Sequence, residues 1–130
     1  MSVSTDLRAF ILADGTVAGL IGTRLYPLTL PQAPTLPAMS YQWISGQHFN
    51  AMDAPSKLSG PRVQFTCWAA TYLQAEAVVE ALRKRLNGFR GMAGATEIQG
   101  AFMESERDLY EPDPALFARS ADFFVYHTDT

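Results

Sequence analysis

Arg62-Val63-Gln64-Phe65-Thr66-Cys67-Trp68-Ala69-Ala70-Thr71-Tyr72-Leu73-Gln74, continuing to Gly88, decides the fold. Val63, Phe65, Cys67 and Ala69 alternate with Arg62, Gln64, Thr66 and Trp68. That period of two marks a strand with one buried face. At Thr71 the period changes. Thr71 and Gln74 have the spacing of a capping box, in which each side chain satisfies a free backbone N–H. Ala75, Val78, Val79, Leu82 and Leu86 then recur at helical spacing. Glu76, Glu80 and Lys84 occupy another face, and Glu80 with Lys84 predicts a pair worth roughly a few tenths of a kcal/mol. Arg83, Lys84 and Arg85 suit the negative end of the helix dipole. Asn87-Gly88 predicts the stop, with Phe89 packing back.

Toward the C-terminus two further runs read as strands, Glu97 to Met103 and Leu116 to Tyr126. Between them, five of the ten residues from Glu104 to Asp113 are acidic. The simplest pairing is a β-ribbon with concentrated negative charge at its tip. Like charges repel and add nothing to a core, whereas a charged loop on a rigid ribbon is where partner surfaces are most often found. Gly88-Phe89-Arg90-Gly91-Met92-Ala93-Gly94 follows the helix. A phosphate loop needs its glycines before a helix N-terminus, so this stretch is expected to be a flexible connection.

Toward the N-terminus, Thr5 or Ser4 is expected to cap a short helix with Leu7, Phe10 and Ile11 on one face, ending at Gly15. A second turn has Thr16 as cap, Val17, Leu20 and Ile21 as its apolar side, and Gly22 as its end. Arg24-Leu25-Tyr26 is extended. Pro27, Pro31, Pro34 and Pro37 remove backbone donors, which predicts an irregular or edge segment. Met39 to Ser45 reads as a strand with Met39, Tyr41 and Trp43 on one face. Gly46 to Gly60 is a long loop carrying His48, Phe49, Met52 and Lys57. Loops of about 12 to 15 residues or more are usually functional or disordered. Two readings stay open: a partner-contacting loop that orders on assembly, or a flap on its own sheet.

The order is short helices, two or three strands, a long helix, two strands. It predicts one α+β domain: an antiparallel or mixed sheet of about four to five strands, one long helix packed on it, and short N-terminal helices. With 130 residues, 48% apolar and 18% charged, the chain is long and apolar enough for a packed core. The net charge of −3 argues against general nucleic-acid binding. One cysteine, Cys67, excludes an internal disulfide and a cysteine-based zinc site. Met1 to Asp6 lacks the basic start of a signal peptide, and no apolar run approaches the roughly 18 to 20 residues that span a bilayer. The expectation is a soluble protein made in the cytoplasm, with no membrane partner.

Chemistry is sparse. His48 and His127 are the only histidines, and no Gly-x-Ser-x-Gly elbow supports a nucleophile. Glu104, Glu106, Asp108, Glu111 and Asp113 lack the ligand spacing and central glycine of a calcium loop. No cofactor, metal or catalytic residue is expected. Arg83, Arg85 and Arg90 form a modest basic patch with Lys84, read either as a solvated helix end or as a complement to the acidic stretch of a neighbouring copy.

Taken together, Val17-Ala18-Gly19-Leu20-Ile21-Gly22, Thr23-Arg24-Leu25-Tyr26-Pro27, Leu36-Pro37-Ala38-Met39-Ser40-Tyr41, Gly60 to Trp68, Asp108-Leu109-Tyr110-Glu111-Pro112 and Arg119 to Tyr126 form a pattern. It resembles the tail-completion, or tail-terminator, proteins of long-tailed bacteriophages and gene transfer agents. The resemblance spans nearly the whole chain. It implies a non-enzymatic virion protein made in the host cytoplasm. It further implies a homo-oligomeric ring, typically a hexamer, that caps the tail tube protein and meets the head–tail connector, with DNA passing its lumen without specific binding. On that reading Arg83, Arg85 and Arg90 and the acidic Glu104, Glu106, Asp108 and Glu111 are opposite subunit patches, or the acidic residues line the lumen. Other expectations to weigh are a different connector or tube subunit and, further off, a small enzyme.

Overall fold

The structure, a computed structural model, describes residues 3–31, 35–45, 58–59, 61–111 and 116–128. The elements are α1 (Val3–Leu12), α2 (Gly15–Ile21), β1 (Leu25–Pro27), β2 (Ala38–Ser45), β3 (Leu58–Ser59), β4 (Arg62–Ala69), α3 (Tyr72–Leu86), β5 (Gly91–Ala93), β6 (Thr96–Glu111) and β7 (Leu116–Thr128). The strand order is β1-β2-β4-β7-β6-β5, with β3 also on β7. β1 runs parallel to β2 and every other pairing is antiparallel, so the sheet is mixed.

The α+β class holds, but the sheet has seven strands rather than four to five. β1 falls on the stretch from Arg24 to Tyr26 that reads as extended, while β3 and β5, two and three residues long, are too short to display a period. β3 is in effect the first part of β4. Leu58 and Ser59 oppose Thr128 and His127 in the register that places Arg62 opposite Phe124. Pro61 sits between them and its carbonyl accepts from the Val125 N–H at 3.0 Å. Proline has no N–H to return, so the ladder breaks there and resumes.

β4 alternates as its sequence predicts, with Val63, Phe65, Cys67 and Ala69 buried. β7 places Phe123, Ala121 and Val125 on the same inner face, and Phe65 meets Phe123 edge-on at 5.8 Å. α3 covers this face with Ala75, Val78, Val79, Leu82 and Leu86. Leu7 and Ile11 of α1 and Val17 and Ile21 of α2 complete the core. Asp6, buried in α1, accepts from the Thr96 hydroxyl at 2.6 Å and so ties the N-terminus to β6. No helix among the described residues is long and apolar enough to cross a membrane.

Helix ends are partly as read. Thr71 caps α3, accepting from Gln74 N at 3.2 Å, and the Gln74 amide oxygen reaches back to Ala70 N at 3.4 Å. Phe89 does fold back, packing on Phe10 with ring centroids 4.1 Å apart and the planes tilted by 40°. Glu80, however, pairs with Arg83 one residue nearer than Lys84, because the guanidinium fork grips a carboxylate with two donors. α1 starts at Val3, ahead of Ser4 and Thr5. α2 is capped by Asp14, whose carboxylate accepts from Val17 N at 3.0 Å, and Gly15 opens this helix instead of closing α1. The glycine-rich stretch after α3 is not merely a connection: Gly91–Ala93 pairs with Thr96–Ile98 around Gly94, whose φ of 60° a side chain would strain.

Candidate functional site

From Glu104 to Glu111 the acidic stretch is strand, not turn. β6 runs unbroken from Thr96 to Glu111, so Glu104, Glu106 and Asp108 lie along a β-edge with partners across the ribbon. Asp108 lies opposite Arg119 and Glu106 opposite Ala121. Arg119 Nη2 meets Glu106 at 3.1 Å and Nη1 meets Asp108 at 2.6 Å. Tyr72, in the first turn of α3, donates its hydroxyl to Asp108 at 3.0 Å and accepts from Arg119 at 3.2 Å. Burial pulls the Arg119 guanidinium down, but its bond to Glu106 and the charges of Glu106 and Asp108 carry it above its ordinary value. Opposite charges across a ribbon offset the repulsion that made this stretch read as a loop.

A second cluster holds the bulge. The register of β6 against β7 shifts between Met103 and Ser105, which leaves Glu104 as the extra residue. Arg62 of β4 pairs with Glu104 at 3.1 Å and with Asp122 of β7. Arg62 is held above its ordinary value, chiefly by the hydrogen bond to Asp122.

The expected basic patch is divided. Arg83 binds Glu80, which lowers the Glu80 carboxyl and raises Arg83. Arg85 donates to the Phe10 carbonyl at 2.8 and 3.0 Å and lies 3.7 Å over the Phe10 ring, fastening α3 to α1. Arg90 is exposed on the segment leading into β5. Glu111 closes β6, but its side chain is outside the described residues, as are all of His48, Phe49, Met52 and Lys57. His127 is buried in β7 opposite Ile98.

Sequence reading missed the outer face of the sheet. There a cavity of about 420 Å³ lies between residues 28–31 and the strands, lined by Leu28, Leu30, Trp68 and Leu116 over Gln64 and Thr66. Leu28 is 67% exposed and has a φ of 66°, a backbone state that costs a side-chain-bearing residue roughly 1–2 kcal/mol. Farther along the same face Phe102, Tyr126 and Phe124 form a ladder with 6.3 Å spacings. The alternation of β4 left this face intermediate, and only the segment laid over it forms the cavity. Cys67 is sealed in the core, where burial pushes its thiol up to about 12, so it is an inert thiol at neutral pH. Among the described residues no group of three or more His, Cys, Asp or Glu is placed to hold a metal.

In sequence the chain matches the family described as tail completion protein gp17 over residues 5–128. The chain belongs to this family, and with it to the structural components of phage-like virions. In fold it is similar to a chain of the virion of a native gene transfer agent particle, with a TM-score of 0.72 over 98% of each chain and 17% identity. No curated protein sequence matches it.

Proposed function

We propose that this protein finishes the tail as a ring of identical subunits, a hexamer, which closes the end of the tail tube and offers its other surface to the head–tail connector. The observation that carries this is the family match over residues 5–128, nearly the whole domain. A structural role also fits the chemistry of the site. Glu104, Glu106 and Asp108 of β6 are engaged with arginines and a tyrosine and form an organised surface. The acidic edge then faces either the next subunit or the lumen. In the lumen, a like-signed field keeps passing DNA from sticking.

Native mass measurement of the purified protein, alone and with tube protein, tests the ring. The expected result is a discrete multiple of the 14.3 kDa chain, with binding to tube ends in preference to isolated connectors. A strict monomer under both conditions would falsify the ring. Preference for the connector alone would place the protein on the head side of the junction.

A further inference from the structure

The two ends of the sheet differ in charge and in how they are finished. On the flank of β6 away from β7, cover by described residues stops at Met103. β5 pairs with Thr96–Ile98, the backbones of Gly88 and Phe89 bond to Ala101, and the Asn87 side chain accepts from Met103 N. From Glu104 to Glu111 no described strand lies on that flank. An open row of backbone N–H and C=O groups is a template for another chain. Glu106 and Asp108 share the single Arg119, and Glu104 and Asp122 share the single Arg62. One guanidinium for two carboxylates leaves a negative surplus on each cluster, which Arg107 on the outer face offsets in part.

The opposite end, β1, is finished by arginines. Arg8 donates to the carbonyls of Leu25 at 2.9 Å and Thr23 at 3.0 Å. Arg24 donates to those of Pro37 at 2.9 Å and Leu20 at 3.3 Å. Carbonyls carry no net charge, so these bonds fix both guanidinium groups and leave their charge intact. Neither forms an ion pair among the described residues. The arginines of the expected basic patch are less suited to meet β6 from a neighbouring copy. Arg83 and Arg85 are held within the subunit, and Arg90 leads into β5 at β6's own end of the sheet.

We propose that the β6 edge of one copy, with Glu104, Glu106 and Asp108, seats the β1 edge of the next copy, with Arg8 and Arg24. The two patches lie at opposite ends of one sheet, so the contact is head to tail, as a closed ring requires. Complementary charge fixes which edge meets which and suppresses edge-to-edge pairing of like with like. The proposal rests on the ring reading and names the surfaces that close it.

Cysteine cross-linking tests it. Thr23 and Arg107 are exposed and flank the two edges, and native Cys67 is fully buried and stays silent. With a short bismaleimide, the chain carrying both Thr23→Cys and Arg107→Cys is expected to give a ladder of multiples of 14.3 kDa on a denaturing gel. Either single variant alone gives monomer, and an equal mixture of the two singles gives dimer and nothing larger. Dimer from one single variant alone overturns the head-to-tail arrangement. Monomer from both the double variant and the mixture, while unmodified protein has an oligomer's native mass, overturns the edge assignment and leaves the ring standing. A monomeric native mass with and without tube protein removes both.

Discussion

Tyr72 is an exposed residue whose hydroxyl joins a helix to a β-ribbon. Its bond to Asp108 raises the phenol above its ordinary value, with partial burial and the nearby Asp108 charge adding to the effect. Ionisation would remove the donated proton and set a phenolate beside a carboxylate. The folded-state value is therefore the higher one. The stabilisation is fully present below the unfolded value of about 10 and is lost as pH rises through the folded value. Ultraviolet titration of the wild type is expected to contain a late-ionising tyrosine that Tyr72→Phe lacks. The stability gap between the two proteins should close in strong alkali, and coincident titration curves would show that the bond does not persist in solution. None of this was legible from the acidic run itself. Arg119 lies eleven positions from Asp108 and Arg62 sixty from Asp122, and only strand register brings each pair together.

Elements whose local signals agree declared themselves, and those that depend on their neighbours did so only in part. The fifteen residues of α3 carry several turns of apolar spacing, a cap and a basic end, and all three signals agree. Thr71→Ala removes the acceptor for Gln74 N and is expected to cost about 1 kcal/mol, read as a lower urea midpoint with an unchanged slope. Thr71→Ser should restore most of it, and an equal loss in both would assign the effect to something other than the cap. β1 and β5, at three residues each, depend instead on the strands they join. β6 was foreshortened for the opposite reason. Its acidic half has the composition of a loop, yet Arg119 of β7 and Arg62 of β4 supply the cations that let it remain strand.

For the molecule as a whole, one layer of helices on one face of the sheet supplies the core. Phe65 and Phe123 sit at its centre, both essentially inaccessible to solvent. Phe123→Ala leaves a cavity between β4, β7 and α3, and is expected to cost about 3–5 kcal/mol. Domains have only about 5–15 kcal/mol in total, so a substantial share of the subunit's margin depends on this contact. Chemical denaturation of the isolated subunit checks the value, and a loss under about 1 kcal/mol would mean that the core re-closes around the gap. In the proposed ring the edges of the same sheet serve assembly, while the core serves stability.

By itself the sequence determined what local periodicity can carry: the α+β class, the buried side of β4, the long capped helix, the strand at Met39–Ser45 and the resemblance to tail-completion proteins that the family match bears out. Periodicity reports the environment of a residue relative to its near neighbours in the chain. The tertiary structure decided which strands are edges, that each cluster sets two carboxylates against one arginine, and that Arg8 and Arg24 hold their charge on neutral carbonyls. Those are relations between residues far apart in sequence, fixed by strand order and register, and no local pattern encodes them.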